Sequence, residues 1–173
     1  MLDKLVEVIL SFVELFKFWD VLQVWEQGIK VRLGKYPKPV QILEAGFHWK
    51  LPFNIDEIHT VSIARQAIEL GSQTITTKDE KCIVLEAVLT YEVKDVERAL
   101  FKVGDEISAV KERIQSIIRY EIVKTDFSEI NNEALEESIN EKSKKEGNKW
   151  GIKVISVSIK SLGKITSIRL INQ

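Results

Sequence analysis

A chain of 173 residues with 45% hydrophobic content is long enough for one domain with its own core and too apolar to be disordered. Its 25 Lys and Arg against 26 Asp and Glu leave a net charge of -1, so no whole-molecule field draws it to nucleic acid. One cysteine, Cys82, excludes an internal disulfide, and His48 and His59 add no spacing for a structural zinc.

Residues 2–19, LDKLVEVILSFVELFKFW, carry helical periodicity. Asp3, Lys4, Glu7, Ser11, Glu14 and Lys17 form one narrow polar stripe, and Leu2, Leu5, Ile9, Phe12, Val13, Phe16 and Trp19 belong to the wide apolar remainder. Such a helix is about 27 Å long, but its charges interrupt the roughly 20 apolar residues that a spanning helix requires. It therefore reads as an amphipathic helix that does not cross a bilayer unaided. Nor is it a cleavable signal, because acidic residues sit inside the apolar run and no small-residue cleavage site follows. Burying half of its large apolar side chains would contribute on the order of 10 kcal/mol. The width of the arc favours a lipid head-group layer or a subunit interface over docking on the chain's own core.

From Val21 the period shortens. Residues 23–26 and 29–33 read as short strands broken at Gly28, and the sequence GKYPKP at 34–39 enforces a loop. Residues 28–35 superficially resemble a phosphate loop, but the glycine spacing is one residue too long and Tyr36 stands where Ser or Thr would hold magnesium; nucleotide binding is rejected. In the next segment Phe47, Trp49, Leu51 and Phe53 alternate, with Pro52 between the last two, and the segment reads as a short edge strand. Alternating aromatics are more often core, and a membrane interface is the alternative. His48 points the other way, with no nucleophile or carboxylate beside it, and reads as a surface or hydrogen-bonded histidine.

Residues 58–70 continue the strand character and lead into a hairpin at 73–95. There Ile83, Leu85, Ala87, Leu89, Tyr91 and Val93 form one apolar face, and Cys82, Val84, Glu86, Val88, Thr90 and Glu92 a mixed one. The polar run Lys78-Asp79-Glu80-Lys81 turns the chain. A hairpin alone is marginal in water and needs a third strand and a covering layer. Asp95 can cap a short helix over 96–103 that ends at Gly104. Ile107, Val110, Ile114, Ile117, Ile118 and Ile122 define a longer amphipathic helix. Residues 128–146 form a second, acidic in its first half and basic in its last turn, with Gly147 as its terminator. Residues 150–159 return to a β-branched strand that completes the sheet. From Lys142 onward eight residues are basic and one, Glu146, is acidic; such a tail is solvated by default, with anionic lipid the alternative.

The order of elements is α+β: a mixed or antiparallel sheet with packed helices, preceded by the amphipathic helix. Residues 1–20 are the helix, 21–162 the folded domain and 163–173 a tail. The motifs resemble the SPFH or band 7 family, the stomatin, prohibitin and flotillin group. The matching residues are Gly28 with Gly34-Lys35-Tyr36, Ala45-Gly46-Phe47-His48, Leu51-Pro52-Phe53, Arg65-Gln66, Thr76-Thr77-Lys78-Asp79, Ala87-Val88-Leu89-Thr90-Tyr91-Glu92-Val93 with Asp95, Ile118-Arg119, and Trp150-Gly151-Ile152-Lys153-Val154. They run in order from about Val24 to Leu162, and the sequence resembles a short form without the family's C-terminal coiled coil.

The resemblance implies a non-enzymatic, membrane-associated scaffold that assembles into a ring or larger homo-oligomer and organises lipids or membrane proteins. The expected location is peripheral or monotopic on the cytoplasmic face of a membrane, and the residues themselves offer no metal cluster and no cofactor loop. The membrane contacts expected are Leu2, Leu5, Ile9, Phe12, Val13, Phe16, Trp19, Phe47 and Trp49. Glu86 and Glu92, on the hairpin's mixed face, are the expected oligomer contacts. The alternative is a regulator of a partner membrane protein, such as a membrane-bound protease or a longer SPFH ring. No catalytic residue emerges from the sequence.

Overall fold

The structure, a computed structural model, describes residues 18–101 and 106–164. The expected helix over 2–19 falls mainly outside these residues, as does Gly104. Two lobes follow one another along the chain. The first is all β: β1 (Trp19–Leu22), β2 (Glu26–Arg32), β3 (Ile42–Leu43), β4 (Gly46–Trp49) and β5 (Asp56–Ser62). β1 and β4 form a two-stranded ribbon, and β3, β2 and β5 a three-stranded antiparallel sheet.

The second lobe holds a three-stranded antiparallel sheet in the order β6 (Gln66–Thr76), β7 (Cys82–Val93), β8 (Ile152–Lys164). Three helices complete it: α1 (Val96–Phe101), α2 (Glu106–Val123) and α3 (Glu133–Lys149). The fold is thus α+β, as the element order implied. Strand β7 is the centre of this lobe, and its period-2 pattern decides the arrangement. Ile83, Leu85, Ala87, Leu89 and Tyr91 are buried beneath the helices, while Val84, Glu86, Val88, Thr90 and Glu92 on the other face are only half-buried. Helix α2 adds Val110, Ile114, Ile118 and Ile122 to the same core, and α3 adds Leu135 and Ile139. Val93, at the strand's exit, is packed at the edge of that core.

The hairpin turn is the expected polar run, and its chemistry is visible. Thr77 N donates to Lys81 O at 3.0 Å, Glu80 N donates to Thr77 O at 3.1 Å, and Glu80 takes φ 59°. This is a type I turn closed by a left-handed residue, a common three-residue hairpin loop. The Asp79 carboxylate accepts from the Thr77 hydroxyl at 2.6 Å and from the Phe127 backbone N–H at 3.1 Å. The turn is thereby tied to the segment that follows α2. Hydrogen bonds from Lys81 and Thr77 hold the Asp79 carboxyl well below the usual carboxylate range.

Several boundaries differ from the sequence reading, each for a local reason. Trp19 and Asp20 are strand, not helix, because β1 pairs with β4 from its first residue. Gly28 does not break a strand: β2 runs through it, and a Cβ there would lie 3.0 Å from the His59 carbonyl oxygen and 3.1 Å from Leu22. Residues 58–70 are not one segment. β5 ends at Ser62, β6 starts at Gln66, and β6 then passes 71 through a bulge in which Gly71 takes φ 77°. The Leu70 carbonyl freed by the bulge accepts from the Gln115 side-chain amide.

The second long helix begins later than expected. A 3-10 turn (Phe127–Glu129) precedes it, and Asn132 caps α3 by accepting from Ala134 N at 3.3 Å. Gly147 is not its terminator. The helix continues to Lys149, and Gly147 is buried where a Cβ would stand 2.7 Å from Val154 Cγ2. The turn to β8 falls at Gly151, φ 76°, whose carbonyl accepts from Lys94 and Asp95 N at 2.9 and 3.0 Å and joins the end of β7 to the start of β8. β8 itself runs to Lys164, so the first two residues of the expected tail belong to the sheet.

The short helix is capped as expected: Asp95 Oδ1 accepts from Arg98 N at 3.0 Å. Val96 and Ala99 are buried, and α1 lies against β2 and β5, so this helix is the bridge between lobes. Tyr36, in the loop after β2, stacks on Phe101 at the end of α1, with ring centroids 4.5 Å apart.

Candidate functional site

The two lobes dispose of their apolar side chains differently. Of the fourteen exposed large hydrophobic residues among those described, eleven lie between positions 18 and 53, leaving only Ile107, Tyr120 and Val123 elsewhere. Single exposed apolar residues are ordinary, but a concentration of this kind marks a contact surface.

Its centre is the β1–β4 ribbon. The register pairs Trp19 with Trp49 and Val21 with Phe47, so the four side chains leave one face of the ribbon together. They are 47%, 65%, 56% and 53% exposed, respectively. The Phe47 and Trp49 rings meet edge to face at 5.3 Å. The opposite face is anchored: Leu22 is buried, Lys50 Nζ pairs with Asp20 Oδ2 at 2.9 Å, and His48 Nε2 is hydrogen-bonded to the Glu44 carbonyl oxygen at 2.7 Å. His48 is therefore the hydrogen-bonded histidine the sequence suggested. The expectation that these alternating aromatics are core fails, because no layer of the described chain covers the ribbon's outer face.

Two turns extend the surface. Val24 and Trp25 are exposed in the β1–β2 turn, and Leu51 and Phe53 follow β4, outside the strand that the sequence had continued to them. Phe53 and Asn54 take φ 61° and 55°, a left-handed pair that turns the chain toward β5. This turn is fixed by Asp56, which is buried. Its carboxylate accepts from Arg32 Nε at 2.7 Å, from Arg32 Nη2 at 3.1 Å and from Leu51 N at 3.1 Å. The Arg32 hydrogen bond outweighs burial and holds the Asp56 carboxyl below its ordinary value.

Of the expected membrane contacts, Leu2, Leu5, Ile9, Phe12, Val13 and Phe16 lie outside the described residues. Trp19, Phe47 and Trp49 are brought together on the ribbon. The sequence reading missed Val21, Val24 and Trp25 as part of this surface. The available signal was the pairing of one alternating segment with another across the loop between them. The two expected oligomer contacts share the outer face of the second lobe's sheet. Ser161 Oγ donates to Glu86 Oε2 at 3.2 Å, and Lys153 Nζ pairs with Glu92 Oε1 at 2.6 Å. The Lys153 hydrogen bond keeps the Glu92 carboxyl below its usual range.

No group of three metal-ligating side chains occurs among the described residues, and no described helix is long and apolar enough to cross a membrane. What the geometry defines is a two-lobed α+β domain with a displayed aromatic ribbon. The sequence from 21 to 164 matches the family model of the SPFH domain / Band 7 family, and the chain belongs to that family. An uncharacterized protein of Methanothermobacter thermautotrophicus is 30% identical over 94% of this chain and 50% of its own length. The stomatin-like protein stl-1 of Caenorhabditis elegans is 32% identical over 79% of this chain and 42% of its own. The modulator of FtsH protease HflK of Escherichia coli is 28% identical over 54% of this chain and 22% of its own. The chain thus spans half or less of the length of these relatives.

Proposed function

We propose that this chain is a non-enzymatic SPFH protein that rests on a lipid surface through its first lobe and associates with further copies to organise lipids or membrane proteins. The observation that carries the reading is the aromatic ribbon of Trp19, Val21, Phe47 and Trp49. Tryptophan is favoured at the membrane–water boundary, where an apolar ring and a polar N–H are both accommodated. The apolar arc of residues 2–16 immediately precedes β1 and is proposed to lie on the same surface. Glu86 and Glu92 are proposed as contacts between copies, Glu86 being the more available because Glu92 is already paired with Lys153.

Flotation with liposomes tests this. Phe47 is 53% and Trp49 65% exposed, so inserting the exposed parts contributes on the order of 2 kcal/mol together. The F47S/W49S variant should bind roughly 30-fold more weakly. Deleting residues 1–17 should weaken flotation further. Unchanged flotation of both variants would sink the reading.

A second reading, regulation of a partner membrane protein such as a membrane-bound protease, is favoured by the likeness to the E. coli protein named a modulator of FtsH protease. Affinity capture from native membrane separates the two. Recovery of only the chain itself would count against a partner.

A further inference from the structure

Beside the aromatic face, the first lobe holds an open cleft of about 680 Å³, bordered by Lys30, Arg32, Lys35, Tyr36, His48 and Trp49. That volume suits a small ligand. Its cations converge for a local reason. Leu33 and Gly34 both take positive φ, 49° and 73°, and form a two-residue type I′ turn. Arg32 N donates to Lys35 O at 2.7 Å and Lys35 N to Arg32 O at 2.9 Å, so these two residues are directly opposed and their side chains leave on the same side. Lys30, two residues earlier on β2, shares that side, and the buried Ile29 and Val31 take the other.

The charges are only partly spent within the chain. The Lys30 ammonium donates to the Trp49 carbonyl. Asp56 occupies two of the five Arg32 donors and leaves three. Lys35 is exposed, and its ammonium has no hydrogen bond or ion pair among the described residues. Three cations face one carboxylate, a local excess of two positive charges. Glu44 meets His48 only through its backbone carbonyl. Trp49 belongs to both features, lining the cleft and standing in the ribbon beside Phe47.

We propose that this cleft binds the phosphate of an anionic phospholipid head group. The proposal rests on the lipid-facing reading above and names the ligand class of that surface. Rings inserted at the boundary place the cleft at head-group depth, where Lys35 and the free Arg32 N–H groups meet a phosphate oxygen. The glycine spacing that would wrap a nucleotide's polyphosphate is absent, which suits a single phosphodiester or phosphomonoester.

The test uses the full chain with vesicles of phosphatidylcholine alone and of phosphatidylcholine with phosphatidylglycerol. Wild type should prefer the anionic vesicles. K35Q should lower that preference about fivefold and K30Q/K35Q roughly 25-fold, with binding to neutral vesicles unchanged. A control pair on the outside of α3, K144Q/K145Q, should leave the preference intact; an equal loss there would make the attraction diffuse and overturn the site. If wild type ignores both vesicles, the lipid-facing reading fails and takes the cleft assignment with it. If neutral vesicles bind and anionic lipid adds nothing, the head-group site alone is overturned. Tryptophan quenching by inorganic phosphate that depends on Lys35, without any anionic-vesicle preference, would assign the cleft to free phosphate and likewise overturn the lipid source.

Discussion

The two lobes draw on similar apolar residues and reach opposite outcomes. In the second lobe, seventeen buried side chains form one cluster between the sheet and α2 and α3. In the first, only Leu22, Ile29, Val31 and Leu43 are buried hydrophobics, while the tryptophans and phenylalanines stay outside. The difference is cover: the second lobe lays two long helices on its apolar face, whereas the ribbon of the first has none among the described residues. Stability is therefore concentrated in one lobe, and the apolar surface available to a partner in the other.

The largest effect that sharpens this contrast is truncation at its centre. Leu89, on β7, is 1% exposed, and L89A should cost about 2–5 kcal/mol. The loss should appear in urea unfolding followed by far-UV circular dichroism, which reads the helices. A loss under 1 kcal/mol would mean that the cluster is loosely packed. Gly147 tests the same core from the opposite direction. The added methyl of G147A would stand 2.7 Å from Val154 Cγ2 and 2.9 Å from the Ile152 carbonyl oxygen. Overpacking there should cost about 1–3 kcal/mol, against the gain that Ala for Gly gives in an open helix. A stabilised G147A would show that α3 and β8 separate easily.

Acid acts on both lobes through different pairs. In the first, Asp56 is held below its ordinary carboxylate value by Arg32. In the second, burial of Glu121 is outweighed by hydrogen bonds from Lys142 at 2.6 Å and Ser138 at 3.0 Å, and its carboxyl is also lowered. For a depressed carboxyl, the unfolded chain takes up the proton first. The contribution is present above the unfolded carboxylate range and disappears as pH falls through the folded value. D56N should thus weaken the first lobe by about 1 kcal/mol at neutral pH, a charge-assisted bond discounted because Arg32 is largely solvent-exposed. It should also flatten that lobe's acid dependence. Three of the four tryptophans, Trp19, Trp25 and Trp49, are in the first lobe, so fluorescence against pH reports it selectively. An acid profile identical to wild type would remove Asp56 from the account.

The second lobe was legible in the sequence because each element carries its own periodicity. The alternation of β7, the three-and-four spacing of α2 and the β-branched run of β8 are local signals, and the covering layer follows from their order. The first lobe was less so. The apolar run before Trp19 passes into β1 without a glycine or proline, so nothing local marks where helical spacing yields to a strand. Gly28 and Gly147 read as punctuation, although each is required because another element approaches its Cα, and that neighbour is remote in sequence or beyond a turn. Alternation showed that Phe47 and Trp49 share a face; it does not say whether a layer covers that face. The cleft depended on Leu33 taking a left-handed turn, a conformation leucine does not advertise.

The smallest effect is the most diagnostic for the contrast. If the ribbon's outer face contributes little to folding, F47S/W49S should change stability in water by about 1 kcal/mol, because the two rings are only partly covered, and so by less than L89A. The edge-to-face contact between the two rings sets the scale of any larger loss, because an aromatic pair contributes about 0.5–1.5 kcal/mol beyond area burial. Trp19, directly opposite Trp49, keeps its backbone pairing in the variant, so β1 and β4 should stay in register. Urea unfolding followed by the remaining tryptophans measures this. A midpoint shift as large as that of L89A would make the ribbon a structural element of the lobe, and its exposed rings would then owe their presence to folding instead of to a lipid surface.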